Sequence, residues 1–465
     1  MSESHYRRLR RLLSPLHPNR LRGRLRHAAD KLGWHHVVFW AGGLRPSRLA
    51  LSWRWLAAKR ATQAARRRDP RLKVAVDIAP FWEPLTGIGW YLYRLLEHLA
   101  ERDDLALRLY GPAFVDKGDQ RPPVVPLPRG KAIEVVHYQV PTGFSIPFYL
   151  FADRLRRRAH REVEADGNQI FFAPNFFLPP PFDRCRGRLV ATVHDLGFRK
   201  LPETLRESTR EELERHLEAT LGRAAAILTD SEAVRGELIE TGLVPPEKVK
   251  AVHLAAASVH GATAGDLPAG TPRRYLLFVG TLEPRKGVES LLAAWRRLAD
   301  DDATGGMALV LAGGVGWKSE ALVAALAAAE GSGVRHFGYL PEPELLALYD
   351  NADWLVFPSR YEGFGLPAVE AMAAGVPLLL SDLPVLRELA GDAALYAPPG
   401  DIEAWTGLLR RVCRDAVGSG AAGAGELRSE YARRSRERSA HFDWRRTADA
   451  TAAIFFAAAG RTEVL

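Results

Sequence analysis

The chain has 465 residues, enough for two or three domains that each bury a hydrophobic core. Hydrophobic residues make up 47% and charged residues 26%, the balance of a water-soluble globular protein, and no apolar run approaches the roughly 20 residues of a membrane span. The two cysteines, Cys185 and Cys413, exclude a disulfide framework and a cysteine-spaced zinc module, and they fit a reducing compartment.

The net charge of +9 is unevenly distributed. Residues 1–73 hold 19 Lys and Arg but 3 acids, a net charge of +16, so the remainder carries −7. Arginine, tryptophan and leucine mix in residues 1–71, which predicts a basic helical extension in contact with an anionic membrane surface. A helical extension packed on the body, a disordered tail and an organellar transit peptide are the alternatives. Nucleic acid is not an expected partner, because no nucleic-acid-binding module is visible.

Strands and helices alternate from residue 72 onward. The apolar run LKVAVDIAP (72–80) predicts a buried parallel strand, and leucines at helical spacing after TGIG (86–89) predict an amphipathic helix. A Pro- and Gly-rich loop is predicted at 111–131. Further strands are predicted at 105–112, 169–175, 188–198 and 249–256. The segment 225–240 predicts a strand, a turn at Ser231 and then a helix. This alternation predicts a doubly wound parallel sheet.

The same scheme repeats in the second half of the chain. The composition of residues 258–272 predicts a linker. Strand–turn–helix units then follow, beginning with RYLLFVGTLEPRKG and MALVLAGGVGW, and they predict a second parallel sheet. The last segment, HFDWRRTADATAAIFFAAA (441–459), predicts a helix.

The most informative block is DWLVFPSRYEGFGLPAVEAMAAGVP, which begins at Asp353. An apolar strand leads into a loop with two glycines and then into a short helix. Glu362 lies in the loop, and Glu370 lies in the first turns of the helix. Glycines let backbone N–H groups approach an anion, the helix start adds positive charge, and carboxylates accept hydrogen bonds from hydroxyls. The block therefore suits a sugar nucleotide, bound where open α/β sheets bind ligands.

The segment EGFGLPAVEAMAAGVP resembles the E-x7-E signature of retaining glycosyltransferase family 4, as found in bacterial mannosyl- and rhamnosyl-type enzymes of group 1. The resemblance covers about residues 70–460. It implies the α/β GT-B fold, in which two Rossmann-like, doubly wound parallel-sheet domains face a cleft. Residues 72–260 would form the acceptor-side domain and residues 273–440 the donor-binding domain. Residues 441–465 would hold a helix that packs back on the first domain.

The resemblance also assigns roles around the E-x7-E block. Glu370 would bind the ribose hydroxyls of the donor, and Glu362 would bind hydroxyls of the transferred sugar. Backbone contacts to sugar and phosphate would come from the loop and helix start, namely Gly363, Phe364, Gly365 and Leu366.

Two further motifs match the phosphate end of such a donor. In EPRKG (283–287), Arg285 and Lys286 can neutralise a diphosphate that gains charge as the glycosidic bond breaks, and Lys286 matches the family lysine. Thr281 stands where many members have an arginine, and we infer that Arg285 substitutes for it. In TGIG, Gly87 and Gly89 resemble the glycine loop that approaches the diphosphate.

Three motifs complete the predicted site. His194, in VHDLGF, resembles the family histidine that reaches the transferred sugar, and Asp195 would orient it or contact the acceptor. Ser231 is predicted to cap a helix near the donor cleft, and capping alone would explain it. Gly313 resembles a residue that lines the nucleotide pocket.

These matches imply retaining transfer of a hexose from a nucleoside diphosphate sugar, with GDP-mannose the first expectation, to a glycan or lipid-linked acceptor in cell-surface polysaccharide biosynthesis, including lipopolysaccharide. A UDP-hexose or dTDP-rhamnose is an alternative donor. A sugar-nucleotide epimerase and a non-catalytic GT-B binding protein are alternatives of another class. No cofactor or metal is expected, because Arg285, Lys286 and the helix start would carry the phosphate charge. The expected location is cytoplasmic, at the inner face of the cytoplasmic membrane.

Overall fold

The computed structural model describes residues 61–82, 87–114, 133–140, 160–161, 163–178, 182, 185–256, 264–316, 320–329, 331–418 and 425–461. Residues 1–60 of the predicted N-terminal extension lie outside this part of the chain. The final residues of the extension, 61–68, are helical, and they pack on the first domain. There Arg66 is buried and donates to the Ala106 carbonyl at 3.2 Å and to Asn168 at 2.8 Å.

The first half of the chain forms a seven-stranded, all-parallel sheet. Its strands are β1 (Leu72–Asp77), β2 (Leu105–Phe114), β3 (Ile133–Val140), β4 (Ile170–Ala173), β5 (Arg188–Val193), β6 (Ala224–Thr229) and β7 (Val249–Ala251), in the order β3-β2-β1-β4-β5-β6-β7. Its helices are α1 (Gly87–Leu99), α2 (Gly197–Lys200), α3 (Glu207–Arg223) and α4 (Glu232–Glu240), with 3-10 turns at Ala79–Trp82, Pro202–Thr204 and Pro246–Lys248. All six residues of β1 are buried, which explains the continuous apolar run seen in the sequence.

The second half forms a six-stranded, all-parallel sheet. Its strands are β8 (Tyr275–Val279), β9 (Ala308–Ala312), β10 (Val334–His336), β11 (Trp354–Phe357), β12 (Leu378–Ser381) and β13 (Ala394–Ala397), in the order β10-β9-β8-β11-β12-β13. Its helices are α5 (Val288–Asp300), α6 (Glu320–Ala328), α7 (Glu342–Asn351), α8 (Leu366–Ala373), α9 (Pro384–Ala390), α10 (Ile402–Gly418) and α11 (Glu426–Ser439), with a 3-10 turn at Pro284–Lys286. Both predicted parallel sheets are therefore present.

The edge of the first sheet differs from the prediction. The predicted strand at 105–112 and the predicted loop at 111–131 overlap, and the structure favours the strand, because β2 continues through Gly111 and Pro112 to Phe114. The strand continues because β3 pairs with it in parallel from Leu107 onward. Pro112 is tolerated there because the pairing of β2 with β1 ends at Tyr110, so beyond that residue β2 has a partner strand on one side only. Strand β3 itself was not predicted, since its polar residues interrupt the apolar run.

The last helix, α12 (Trp444–Ala458), returns to the first half of the chain and packs on α1. The Phe455 ring lies 5.1 Å from the Phe172 ring of β4, and Trp444 donates its indole N–H to the Ala256 carbonyl at 2.9 Å. The chain thus crosses between the two sheets twice. In the described part of the chain, no helix combines the length and the apolarity needed to span a bilayer.

Candidate active site

The carboxyl ends of the two sheets face each other, and the predicted site residues lie on the loops that leave these ends. Gly87, at the start of α1, faces Leu366 at the start of α8, and a Cβ placed on Gly87 would lie 4.0 Å from Leu366 Cδ1. Gly89 is buried inside the first turn of α1. Both β1 and β8 lie at the point where the strand order of their sheet reverses, which is where such sheets bind ligands.

A buried cluster of charges lies at the carboxyl ends of β8 and β11. Lys286 Nζ is 2.7 Å from Glu362 Oε1, and the Ser359 hydroxyl donates to the same oxygen at 2.6 Å. Arg285 Nη1 lies 3.4 Å from Glu362 Oε2, while its Nε contacts Glu283 Oε1 at 2.5 Å. The two adjacent cations predicted to meet a diphosphate therefore converge on the carboxylate predicted to meet the sugar.

The ionisation of this cluster follows from its surroundings. Burial disfavours the Glu362 carboxylate, but Lys286 and Arg285 outweigh burial and hold the pKa of Glu362 below its ordinary value. Burial and the neighbouring Arg285 lower the pKa of Lys286. Burial also disfavours the charge on Arg285, but Glu362, Asp195 and Glu283 outweigh it and raise the pKa of Arg285. The charges in this cluster therefore depend on one another, since burial opposes each of them and the opposite charges nearby favour them.

The loop that carries Glu362 depends on two glycines. Gly365 has φ of 109° and precedes α8, a left-handed conformation that glycine adopts without strain. Gly363 lies against the first domain, where an added Cβ would overlap the His194 carbonyl oxygen and would lie 2.7 Å from Asp195 Cβ. Phe364 is buried, with its ring 6.1 Å from that of His253. This loop therefore lies directly against the first half of the chain.

Three further residues that were predicted to bind the donor follow the carboxyl ends of strands in the second sheet. Glu370, on α8, accepts a hydrogen bond from the Tyr349 hydroxyl at 2.8 Å. Thr281 is exposed, just beyond the end of β8. Gly313 has φ of 146°, and a Cβ there would overlap the Gly280 carbonyl oxygen, so a side chain would separate the loops after β8 and β9. Only glycine permits this close approach, which is a structural reason for its presence.

His194 lies at the carboxyl end of β5, between two acceptors. Its Nδ1 is 2.7 Å from Asp230 Oδ2, and its Nε2 is 2.7 Å from the Pro174 carbonyl oxygen. Both ring nitrogens can donate only in the imidazolium form. Burial disfavours that form, but Asp230 and Pro174 outweigh burial and raise the pKa of His194 above its ordinary value of 6.5. In this structure the ring is therefore held by protein atoms, and the His194 carbonyl contacts Gly363.

Ser231 and Asp195 join the first domain to this loop. Ser231 caps α4 as predicted, accepting from the Val234 N–H at 3.2 Å, and it donates its own proton to the Gly363 carbonyl at 2.8 Å. Asp195 accepts from the Gly197 N–H at 2.9 Å. The hydroxyl of Ser231 is thus used twice within the protein, once locally and once across the cleft.

Sequence reasoning missed the residues that hold the two halves together. Tyr361 donates to Glu237 at 2.7 Å and accepts from the Leu196 N–H at 2.9 Å. Asp230, described above as the partner of His194, was also missed. No motif marks these residues, because their partners are distant in sequence. Their flanking blocks, TDSEAVR and SRYEGFG, are the only sequence signals that could have drawn attention to them.

Glu388, on α9, forms a second bridge across the cleft. Its two carboxylate oxygens accept from the N–H groups of Glu232 and Ala233, the first residues of α4, at 2.8 and 2.9 Å. His253 Nε2 lies 2.6 Å from Glu388 Oε1. Burial disfavours the carboxylate, but His253 and the two backbone donors hold the pKa of Glu388 below its ordinary value. A carboxylate from one half thus caps a helix of the other.

Comparison with known proteins identifies the family. Residues 264–438 match the profile described as Glycosyl transferases group 1, and residues 85–255 match the profile described as Glycosyltransferase Family 4. The chain is 32% identical over 349 residues to O-antigen chain mannosyltransferase B of Escherichia coli, covering 72% of this chain and 88% of that protein. The chain belongs to the group 1 glycosyltransferases. The predicted family and enzyme class are therefore confirmed.

Solved structures agree on the fold of this glycosyltransferase. Sucrose-phosphate synthase from Thermosynechococcus elongatus superposes with a TM-score of 0.63 at 20% identity, covering 83% of this chain and 98% of that one. WaaG, described as a glycosyltransferase involved in lipopolysaccharide biosynthesis, superposes with a TM-score of 0.57 at 18% identity, covering 82% and 99%. Both likenesses confirm the predicted GT-B fold of two Rossmann-like domains.

Substitution of Gly363 tests the close contact between the halves. Gly363→Ala places a methyl group in the space of the His194 carbonyl, so the two domains cannot close as they do here. We expect turnover of the nucleotide sugar to fall more than about tenfold, since small misplacements of a reacting geometry are costly. Gly407→Ala is the matched control, because a Cβ there meets no atom within 4 Å. Wild-type turnover and an unchanged radius of gyration in Gly363→Ala would show that the close contact of Gly363 with the first domain does not matter for catalysis.

The His194–Asp230 pair predicts a measurable titration. Because the pKa of His194 is raised in the folded protein, its protonation contributes fully to folding stability below pH 6.5. That contribution disappears as the pH rises through the folded pKa. In Asp230→Asn the burial remains but the attraction is lost, so we expect the pKa of His194 to fall below 6.5. Proton NMR of the imidazole Cε1–H reports it, with His194→Gln giving the assignment and exposed Asp382→Asn as the control. An unchanged midpoint in Asp230→Asn would overturn this account.

Proposed function

We propose that this enzyme transfers mannose, with retention of configuration, from GDP-mannose to a glycan or lipid-linked acceptor in the assembly of a cell-surface polysaccharide. The observation that carries the proposal is that Arg285 and Lys286 both contact Glu362, which lies in the loop that contains Gly363 and Gly365. Mannose is favoured over other hexoses because a relative that matches 72% of the chain is described as an O-antigen chain mannosyltransferase.

The arrangement suits a donor held mainly by the second half. Lys286 and Arg285 would bind the diphosphate, with the N-terminus of α8 adding partial positive charge. Glu362 would accept hydrogen bonds from sugar hydroxyls, and Glu370 from the ribose. Because these protein cations face the phosphate, we propose that transfer needs no metal ion.

Chemistry would occur at the anomeric carbon of the sugar. The bond from that carbon to the β-phosphate oxygen breaks, and the bond to the acceptor oxygen forms on the same face. The acceptor proton passes to the leaving phosphate oxygen, which gains charge as its bond to the sugar breaks. Arg285 and Lys286 would stabilise that charge, an electrostatic contribution of the kind that typically changes rates by about 10²–10³-fold per donor.

A donor panel tests the proposal and its alternatives together. The protein is incubated with GDP-mannose, UDP-glucose, UDP-galactose, UDP-N-acetylglucosamine and dTDP-rhamnose, and NMR follows binding and slow hydrolysis. We expect GDP-mannose to be engaged, and Glu362→Gln to lower its turnover about 100-fold. The matched control is Glu403→Gln, whose carboxylate is 83% exposed on α10.

The outcomes separate the hypotheses. Engagement of a UDP-hexose or dTDP-rhamnose instead would overturn the choice of donor but keep the reaction class. Conversion of the bound sugar to an epimer would indicate epimerase chemistry, and binding without turnover would favour a non-catalytic role. Equal turnover in Glu362→Gln and Glu403→Gln would exclude Glu362 from the reaction.

A lipid-linked acceptor would place the enzyme at a membrane, and we propose that the basic N-terminal extension attaches it there. Each Lys or Arg near an anionic surface contributes about 1 kcal/mol. Replacing Arg7, Arg8, Arg10 and Arg11 with Gln in the full chain should reduce co-sedimentation with phosphatidylserine vesicles. The control replaces exposed Arg445 and Arg446 with Gln. Equal sedimentation of both variants would contradict the attachment.

A further inference from the structure

A second cluster of reactive side chains lies in the first domain, away from the cleft. One ligand atom each from His160, Glu164 and Cys185 lie within 4.8 Å of one another. His160 and Glu164 are four residues apart in helical backbone, which places them on one face. Cys185 is buried, while His160 and Glu164 are partly exposed.

The separation between His160 and Cys185 fits a tetrahedral metal site. His160 Nδ1 lies 3.6 Å from Cys185 Sγ. Zinc bonds of about 2.3 Å to sulfur and 2.0–2.1 Å to nitrogen, at a tetrahedral angle, leave these two atoms about 3.6 Å apart. A plain thiol–imidazole hydrogen bond has a similar length, but it would not require the carboxylate that also faces the pair.

The ligand groups are also held in place by surrounding atoms. Glu164 Oε1 accepts from the Arg186 N–H at 2.6 Å, which fixes the orientation of the carboxylate. The Cys185 carbonyl accepts from Arg223 Nη2 at 3.3 Å, and Arg223 also donates to the Phe182 carbonyl at 3.2 Å. Such outer contacts orient metal ligands and support affinity.

We propose that His160, Glu164 and Cys185 bind a zinc ion, with solvent as the fourth ligand on the exposed side. Thiolate and imidazole favour zinc over magnesium or calcium, which prefer oxygen ligands. The cysteine pattern of the sequence does not reveal this site, because its ligands combine three residue types and bring together residues 25 positions apart.

The location indicates a structural role. Cys185 precedes the amino end of β5, whereas His194 follows its carboxyl end, and the six residues of β5 separate the two by about 20 Å. The ion would therefore tie the segment before β4 to the segment before β5, without touching the donor. Zinc should stabilise the fold and leave donor binding unchanged.

The test uses the untagged full chain in reducing buffer without chelator. Protein exposed to Zn²⁺ is dialysed and analysed by elemental mass spectrometry, and Co²⁺ is added separately to detect a thiolate-to-cobalt absorption band. We expect about one zinc per chain, a higher melting temperature with zinc, and a cobalt band. Cys185→Ser and Glu164→Gln should each weaken zinc binding by more than about tenfold.

The matched control is Cys413→Ser, which removes the other buried cysteine and should retain zinc and the cobalt band. Absence of zinc from the wild type, or equal zinc in Cys185→Ser and Cys413→Ser, would overturn the proposal in favour of a thiol–imidazole hydrogen bond. If Cys185→Ser does not fold, Glu164→Gln decides the question. Nucleotide-sugar binding is measured in parallel, so failure here is distinguishable from failure of the proposed transferase function.

Discussion

The buried ion pair between Lys286 and Glu362 depends on the loop that carries Glu362. That loop requires glycine at positions 363 and 365, and it determines how closely the two domains approach each other. Glu362 accepts a hydrogen bond from the Ser359 hydroxyl, and Gly363 follows it in the chain and contacts the first domain. Removing one partner of such a pair typically costs 3–5 kcal/mol, because the other charge is left buried and unpaired. A buried ion pair adds little net stability, so a ligand that uses both charges explains the presence of this pair better than stability does.

The contacts across the cleft share one physical theme. Ser231 donates to a carbonyl of the opposite half, and Glu388 accepts from the free N–H groups at the start of α4. Each bridge thus meets the helix start, where unpaired N–H groups and the helix dipole favour acceptors. The contacts across the cleft therefore include several polar groups that water could replace. Such an interface is consistent with domains that separate to admit a donor.

The sequence predicts the two sheets well because buried parallel strands are continuous apolar runs, as in β1 and β8. It also indicates Lys286 and Glu362, because they lie in compact motifs next to strand ends. It does not reveal β3, whose pairing with β2 decides its conformation. Nor does it reveal Asp230 or Glu388, whose partners are brought near by the fold. The same holds for the cluster of His160, Glu164 and Cys185.

The central claim is that the cations beside Glu362 receive the diphosphate of the donor. A crystal structure of the enzyme with a nucleoside diphosphate tests this most directly. The account predicts phosphate oxygens within about 3 Å of Lys286 Nζ and of the Arg285 guanidinium, with the ribose beside Glu370. A diphosphate bound elsewhere, with no phosphate oxygen near either cation, would contradict it.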